Sequence, residues 1–168
     1  MITIRETRKA DIANVQALWE NGDVMKFVGF PDGLHKSDED MKKWYAWIEE
    51  SRPNTNHYCI FDGDTYCGES FYKIDPEHHN HASMDIKLFP FARGKGIAAK
   101  GLSYAIEEAF KHGAAAVWVD PDPKNTKAIA LYKRLGFVEK PLPDHLRYDG
   151  FEQVYFELTE TDWKATHE

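Results

Sequence analysis

The sequence predicts an α/β domain, and three observations carry that prediction. Met84, Ile86 and Leu88 alternate along a stretch that runs into a basic, glycine-rich turn, Leu88-Phe89-Pro90-Phe91-Ala92-Arg93-Gly94-Lys95-Gly96-Ile97-Ala98. The turn opens into a helical pattern in which Ile97, Ala98, Leu102, Ala105, Ile106, Ala109 and Phe110 share one face. After Gly113, a natural helix stop, Ala115–Val119 reads as a β-branched strand. Strand, helix and strand in this order make a parallel βαβ unit with a right-handed connection. The 168 residues suit one domain spanning 1–168, and 42% apolar with 14% aromatic content excludes a disordered chain.

The remaining elements follow in chain order. Ile2–Arg5 reads as a short strand. Asp11 stands where it would cap a helix whose apolar face is Ile12, Val15, Leu18 and Trp19. Asn21 to His35 reads as a loop rich in glycine and aromatics. Ser37 and Asp40 have capping-box spacing at the start of a second helix, with Met41, Trp44, Tyr45, Trp47 and Ile48 as its apolar positions. Those aromatics read as core, and the two helices with their aromatic loop are also a candidate wall for an acceptor site. Pro53 ends the second helix. His57–Phe61 and Thr65–Tyr72 flank Asp62-Gly63-Asp64 and read as a β-hairpin. Pro76 to Ala82 reads as a solvated loop. Its His78, His79 and His81 lack the paired cysteines or helical spacing of a metal site, so no metal is expected. Ser83–Leu88 is the central strand. Beyond Val119, Pro121 and Pro123 hold the chain extended, Asn125 caps a short helix and Gly136 ends it. The charged tail from Glu157 to Glu168 is expected to fray after the last strand.

Charge narrows the partners. A net charge of −7 argues against a nucleic-acid binder, which needs a basic face, and favours a cationic partner. The chain has no apolar run long enough to cross a bilayer and no signal-peptide pattern, so no membrane contact and a cytoplasmic location are expected. Cys59 and Cys67 then read as reduced thiols. The size is compatible with a homodimer without indicating one.

Chemistry concentrates at the glycine turn. A helix that begins there offers unpaired N–H groups and the positive end of its dipole, which together attract an anion. Gly94 and Gly96 let a phosphate approach the backbone, and Arg93 and Lys95 add positive charge. The stretch reads as a pyrophosphate cradle. It is neither of two familiar phosphate loops: G-x-G-x-x-G fails at Ala99, and no G-x-x-x-x-G-K-S/T string occurs.

Arg93-Gly94-Lys95-Gly96-Ile97-Ala98 resembles the Q/R-x-x-G-x-G/A acetyl-CoA motif of the GCN5-related N-acetyltransferase (GNAT) superfamily. A second signature of that superfamily, Asn-x-x-Ala-Ile-x-x-Tyr-x-x-x-Gly-Phe, is matched from Asn125 through Tyr132 to Phe137. The two motifs lie in the right order, roughly 30 residues apart as a βαβ unit requires. Within the superfamily the chain is most similar to aminoglycoside 6′-N-acetyltransferases, through Met84-Asp85-Ile86-Lys87-Leu88 and Val119-Asp120-Pro121-Asp122-Pro123. The loop Asp75–Ala82 departs from those enzymes by being shorter and rich in histidine. Enzymes acetylating siderophore or lysine side-chain amines share several of the same features.

The resemblance implies a mixed central sheet of about six or seven strands flanked by about four helices, splayed at a bulge on the central strand. It implies acetyl-CoA as co-substrate, with the backbone of Ile86, Lys87 and Leu88 along the pantetheine arm and Arg93 to Ala98 on the pyrophosphate. Asn125 and Tyr132 would contact the cofactor, and Tyr132 would protonate the departing thiolate. Asp85 is the expected acid or base on the acceptor side, since an unpaired carboxylate on that strand has no obvious structural task. With an ordinary pKa of about 3.9 it would orient the amine and draw its proton away late. Asp120, at the carboxyl end of the next strand, is expected to bind the acceptor, with Asp122 and Glu69 as companions. The expected function is acetyl transfer to a small cationic amine, an aminoglycoside 6′-amine among them, which would bring antibiotic resistance. The alternatives are a protein, peptide, siderophore or lysine acetyltransferase, and a non-catalytic acetyl-CoA-binding module.

Overall fold

The computed structural model describes residues 1–167. Seven strands pair in one sheet: β1 (Ile2–Glu6), β2 (Thr55–Asp62), β3 (Thr65–Asp75), β4 (His81–Leu88), β5 (Ala116–Val119), β6 (Val138–Lys140) and β7 (Tyr155–Thr159). Their order is β1-β2-β3-β4-β5-β7-β6, and among the described residues only β4 and β5 pair in parallel. The helices are α1 (Ile12–Glu20), α2 (Gly22–Met25), α3 (Asp38–Ser51), α4 (Ile97–Lys111), α5 (Thr126–Leu135) and α6 (Glu160–His167).

Local chemistry explains most boundaries. Ser37 Oγ accepts from the Asp40 N–H at 3.1 Å and starts α3. Asn125 Oδ1 accepts from the Ala128 N–H at 3.3 Å and starts α5, which Gly136 ends in the left-handed conformation. The β2–β3 hairpin and the β4–α4–β5 crossover lie where the sequence indicates. Buried Leu102, Ala105, Ile106 and Ala109 seat α4 against Tyr58, Tyr72 and Met84. A second cluster, Val15, Leu18, Met41, Cys59 and Tyr66, joins α1 and α3 to the sheet. Cys67 packs instead with Ile60, Leu88 and Ile97, so the two free cysteines belong to different clusters.

Five expectations change. Asp11 does not cap α1; its carboxylate takes the Arg5 guanidinium at 2.7 and 2.9 Å and the Arg8 N–H at 2.8 Å. The Asn21–His35 loop contains α2 and a 3-10 turn, Lys26–Val28. The histidine loop is shorter than expected, because β3 runs to Asp75 and β4 begins at His81. The tail does not fray: 160–167 is helical and Trp163 is buried in the main core. A solvent-facing charged helix with one large apolar anchor gives little sequence periodicity. Finally, β4 pairs with β3 in unbroken register from Gly68↔Leu88 to Asp75↔His81, and the irregularity lies between β2 and β3 at Ile60/Phe61. The strands part without a bulge in β4.

Candidate active site

The site is made by a parting of strands. β4 and β5 pair only where His81, Ala82 and Ser83 meet Ala116, Val117 and Trp118. Beyond Ser83 they diverge, and the β5-facing edge of Met84–Leu88 has no strand partner among the described residues. Backbone polar groups on such an edge need a partner from elsewhere. The wedge opens into a cleft of about 810 Å³, lined by β4, the glycine turn, the start of α5 and the α2 segment.

The glycine turn has the open backbone that the sequence indicates. Gly94 (φ 76°) and Gly96 (φ 75°) are left-handed, and a Cβ built on either meets nothing within 4 Å, which leaves the backbone open to a ligand. Arg93, Gly94, Gly96, Ile97 and Ala98 line the cleft, whereas Lys95 is exposed and does not. Arg93 has a task absent from the sequence reading: its guanidinium donates to the carbonyls of Leu88 at 3.3 Å and Asp23 at 3.2 Å, tying the turn to the α2 wall. Asn125 lines the same cleft while capping α5. An open strand edge beside a glycine cradle at a helix start fits an extended thioester cofactor with a pyrophosphate.

The same cleft brings together Asp85, Asp120, Asp122 and Tyr132. Asp85 is not unpaired, as the sequence reading has it; it forms an ion pair with Lys87, two residues on along the same strand face. Asp120 Oδ2 accepts from Gln153 Nε2 at 2.6 Å, and Gln153 Oε1 accepts from the Tyr148 N–H at 3.2 Å. Burial pushes the Asp120 carboxyl up to about 6, opposed by the Gln153 hydrogen bond and aided by the Asp85 charge. Asp122 lines the cleft but spends one oxygen on the Lys124 N–H at 2.8 Å, a turn contact. Tyr132 is buried, packed on Phe137, and its hydroxyl makes no hydrogen bond among the described residues. Burial, then Asp85 and Asp120, raise its pKa far above that of free phenol, so it holds its proton.

Glu69 does not line the cleft. It is 2% exposed behind Lys87, with Trp19 Nε1 donating to it at 2.7 Å. Asp23 of α2 and Lys26, Phe27 and Val28 of the 3-10 turn after it also line the cleft. Gln153 and the Lys87 side chain are absent from the sequence reading. Alternation along β4, which puts residues 85 and 87 on one face, was a usable signal for the lysine; Gln153 had none.

Residues 1–138 match the family model described as an acetyltransferase (GNAT) domain. An uncharacterized N-acetyltransferase of Methanocaldococcus jannaschii is 26% identical over 142 residues, which are 82% of this chain; the chain spans 61% of that relative's length. The spermidine N-acetyltransferase of Vibrio cholerae, solved with CoA and spermine, superposes with a TM-score of 0.79 at 20% identity, covering 97% of this chain and 98% of that one. A phosphinothricin acetyltransferase of Sinorhizobium meliloti, in complex with acetyl-CoA, gives 0.76 at 18%, covering 94% and 88%. At these identities the two structures show a shared fold. The family model covers most of the chain, and the protein belongs to the GNAT acetyltransferases, whose co-substrate is acetyl-CoA.

Proposed function

We propose that the protein transfers the acetyl group of acetyl-CoA to the primary amine of a small cationic acceptor, directly and in a ternary complex. The observation that carries this reading is the pairing of two carboxylates, Asp85 on β4 and Asp120 at the end of β5, in the wedge beside the cradle. The bound spermine of the Vibrio cholerae enzyme supports the acceptor class. Resemblance to aminoglycoside 6′-N-acetyltransferases keeps an aminoglycoside amine as a second acceptor.

Acetyl-CoA supplies an activated thioester. The cradle and the open edge of β4 hold it in line, and such positioning contributes up to roughly 7–11 kcal/mol to a bimolecular reaction. Asp85, fixed by Lys87, binds and orients the acceptor ammonium. Asp120, with a pKa nearer neutrality than an ordinary aspartate, takes its proton. The neutral amine forms the C–N bond as the C–S bond breaks, the Tyr132 hydroxyl gives its proton to the sulfur, and the extra proton left on the acetylated nitrogen passes back to the Tyr132 oxygen.

The test follows free-thiol release with acetyl-CoA against spermidine, aminoglycosides, lysine derivatives and short peptides. Turnover on a small amine, lost in Asp85→Asn with acetyl-CoA binding intact, is the expected result. Turnover on peptides alone overturns the acceptor assignment, and binding without turnover on any amine leaves an acetyl-CoA-binding module.

A further inference from the structure

Glu69 stands where a carboxylate is costly. It lies on β3 between Cys59 of β2 and Lys87 of β4 in register, 2% exposed. Trp19 Nε1 donates to Oε1 at 2.7 Å, and His57 Nε2 lies 3.1 Å from the same oxygen, off the line of a well-aligned hydrogen bond. Lys87 Nζ lies 3.5 Å from Oε2. Behind His57, Thr7 Oγ1 is 2.6 Å from Nδ1, and the Trp44 ring packs edge-on at 4.8 Å. Burial pushes the Glu69 carboxyl up, but the Lys87 charge, with the ring N–H groups that face the carboxylate, outweighs it and holds the group ionised, below the usual carboxylate range. Ion pairs as buried as this are often replaceable by apolar residues at no loss of stability, so stability is a weak reason for it.

Lys87 has a second partner. Its ammonium, with 11% of the side chain exposed, also pairs with Asp85, whose side chain is 42% exposed in the cleft. The charges therefore run from the core to the acceptor end: Glu69 negative, Lys87 positive, Asp85 negative. Asp120 and Tyr132 face Asp85 from the other wall, and neither brings a positive charge.

We propose that Glu69 is a charge compensator for the acceptor end: it cancels Lys87, so that Lys87 fixes Asp85 in place without neutralising it toward the acceptor ammonium. Asp85 and Lys87 alone sum to zero and offer a cation little; with Glu69 the group carries one net negative charge. Glu69 and Lys87 are then positioning residues, with Glu69 acting from outside the cleft. The inference rests on the cationic-acceptor reading above.

The experiment measures spermidine binding by calorimetry in the presence of CoA, with kanamycin as a second probe. Glu69→Gln leaves Lys87 to neutralise Asp85, and affinity for the amine falls about tenfold or more while CoA affinity is unchanged. Glu69→Gln/Lys87→Met removes both charges, restores the net charge, and recovers amine affinity to within about threefold of wild type, while kcat stays low because nothing then fixes Asp85. A packing role alone gives a double variant no better than the single one. Unchanged amine affinity in Glu69→Gln, or no recovery in the double variant, overturns the inference. Should the single variant fail to fold, the double variant carries the test: loss beyond about tenfold against wild type refutes it. Wild-type protein that binds neither amine removes the acceptor reading and this inference together, which separates the two failures.

Discussion

Replacing Asp120 by asparagine is expected to stabilise the protein while removing its activity. Burial lifts this carboxyl from an ordinary 3.8 to about 6. Each pH unit between folded and unfolded values corresponds to ~1.4 kcal/mol, so the ionised form costs at most ~3 kcal/mol. The side chain keeps some contact with the solvent of the cleft, and screening brings the working figure to about 1–2 kcal/mol. The folded pKa is the raised one, so wild-type stability is fully present below pH ~4, declines as pH rises toward 6, and is lowest above it. The asparagine side chain would retain the Gln153 hydrogen bond through its carbonyl oxygen and carry no charge. Urea unfolding followed by tryptophan fluorescence should show Asp120→Asn more stable by about 1–2 kcal/mol at pH 8 and by roughly half as much at pH 5. Thiol release should fall about a hundredfold or more. A variant less stable than wild type at pH 8, or a gain equal at both pH values, refutes the account of Asp120 as a strained, ionisable group.

Three further expectations follow from the fold. Tyr132→Phe removes a hydroxyl that has no protein partner among the described residues, so stability and CoA affinity stay at wild-type values while kcat falls about tenfold to a hundredfold in the thiol assay. Gly68→Ala would bring its Cβ to 2.0 Å from the Lys87 carbonyl and 2.9 Å from the Leu88 Cα, forcing β3 from the open strand; a loss of about 1–3 kcal/mol in urea unfolding is expected. Trp163→Ala strips α6 of its buried anchor and should cost about 3–5 kcal/mol, visible as a lowered Tm; a Tm within about 1 °C of wild type, roughly the reach of a neutral surface change, would mean that the tail contributes nothing to the fold.

What the sequence revealed was what short-range chemistry writes. The glycine turn, the α5 cap at Asn125 and the βαβ crossover are local patterns, and they form where those patterns lie. Burial depended on register. Glu69 could be placed on β3 from alternation, but its enclosure by Trp19, His57 and Lys87 requires three other elements to arrive on one face. The partner of Asp85, by contrast, is local: alternation along β4 puts Lys87 on the same face two residues away. Gln153 reaches Asp120 across 33 residues of chain from a loop without periodicity, and nothing local announces it. The α6 helix was hidden by its charge, since a single tryptophan supplies its attachment.

The three residue pairs joining β4 to β5 have a mechanical consequence. They act as a hinge between two panels, β1 to β4 on one side and β5 to β7 on the other. α4 packs on β3 and β4 and also touches β5, and so works as a splint across that hinge. Its buried Ala105 and Ala109 keep the splint thin. Enlarging them would pry the panels and change the angle of the jaws without altering any residue the substrates touch. The girth of molecule admitted is therefore set partly by α4 positions that do not line the cleft, where changes in acceptor preference can arise with the chemical groups left intact.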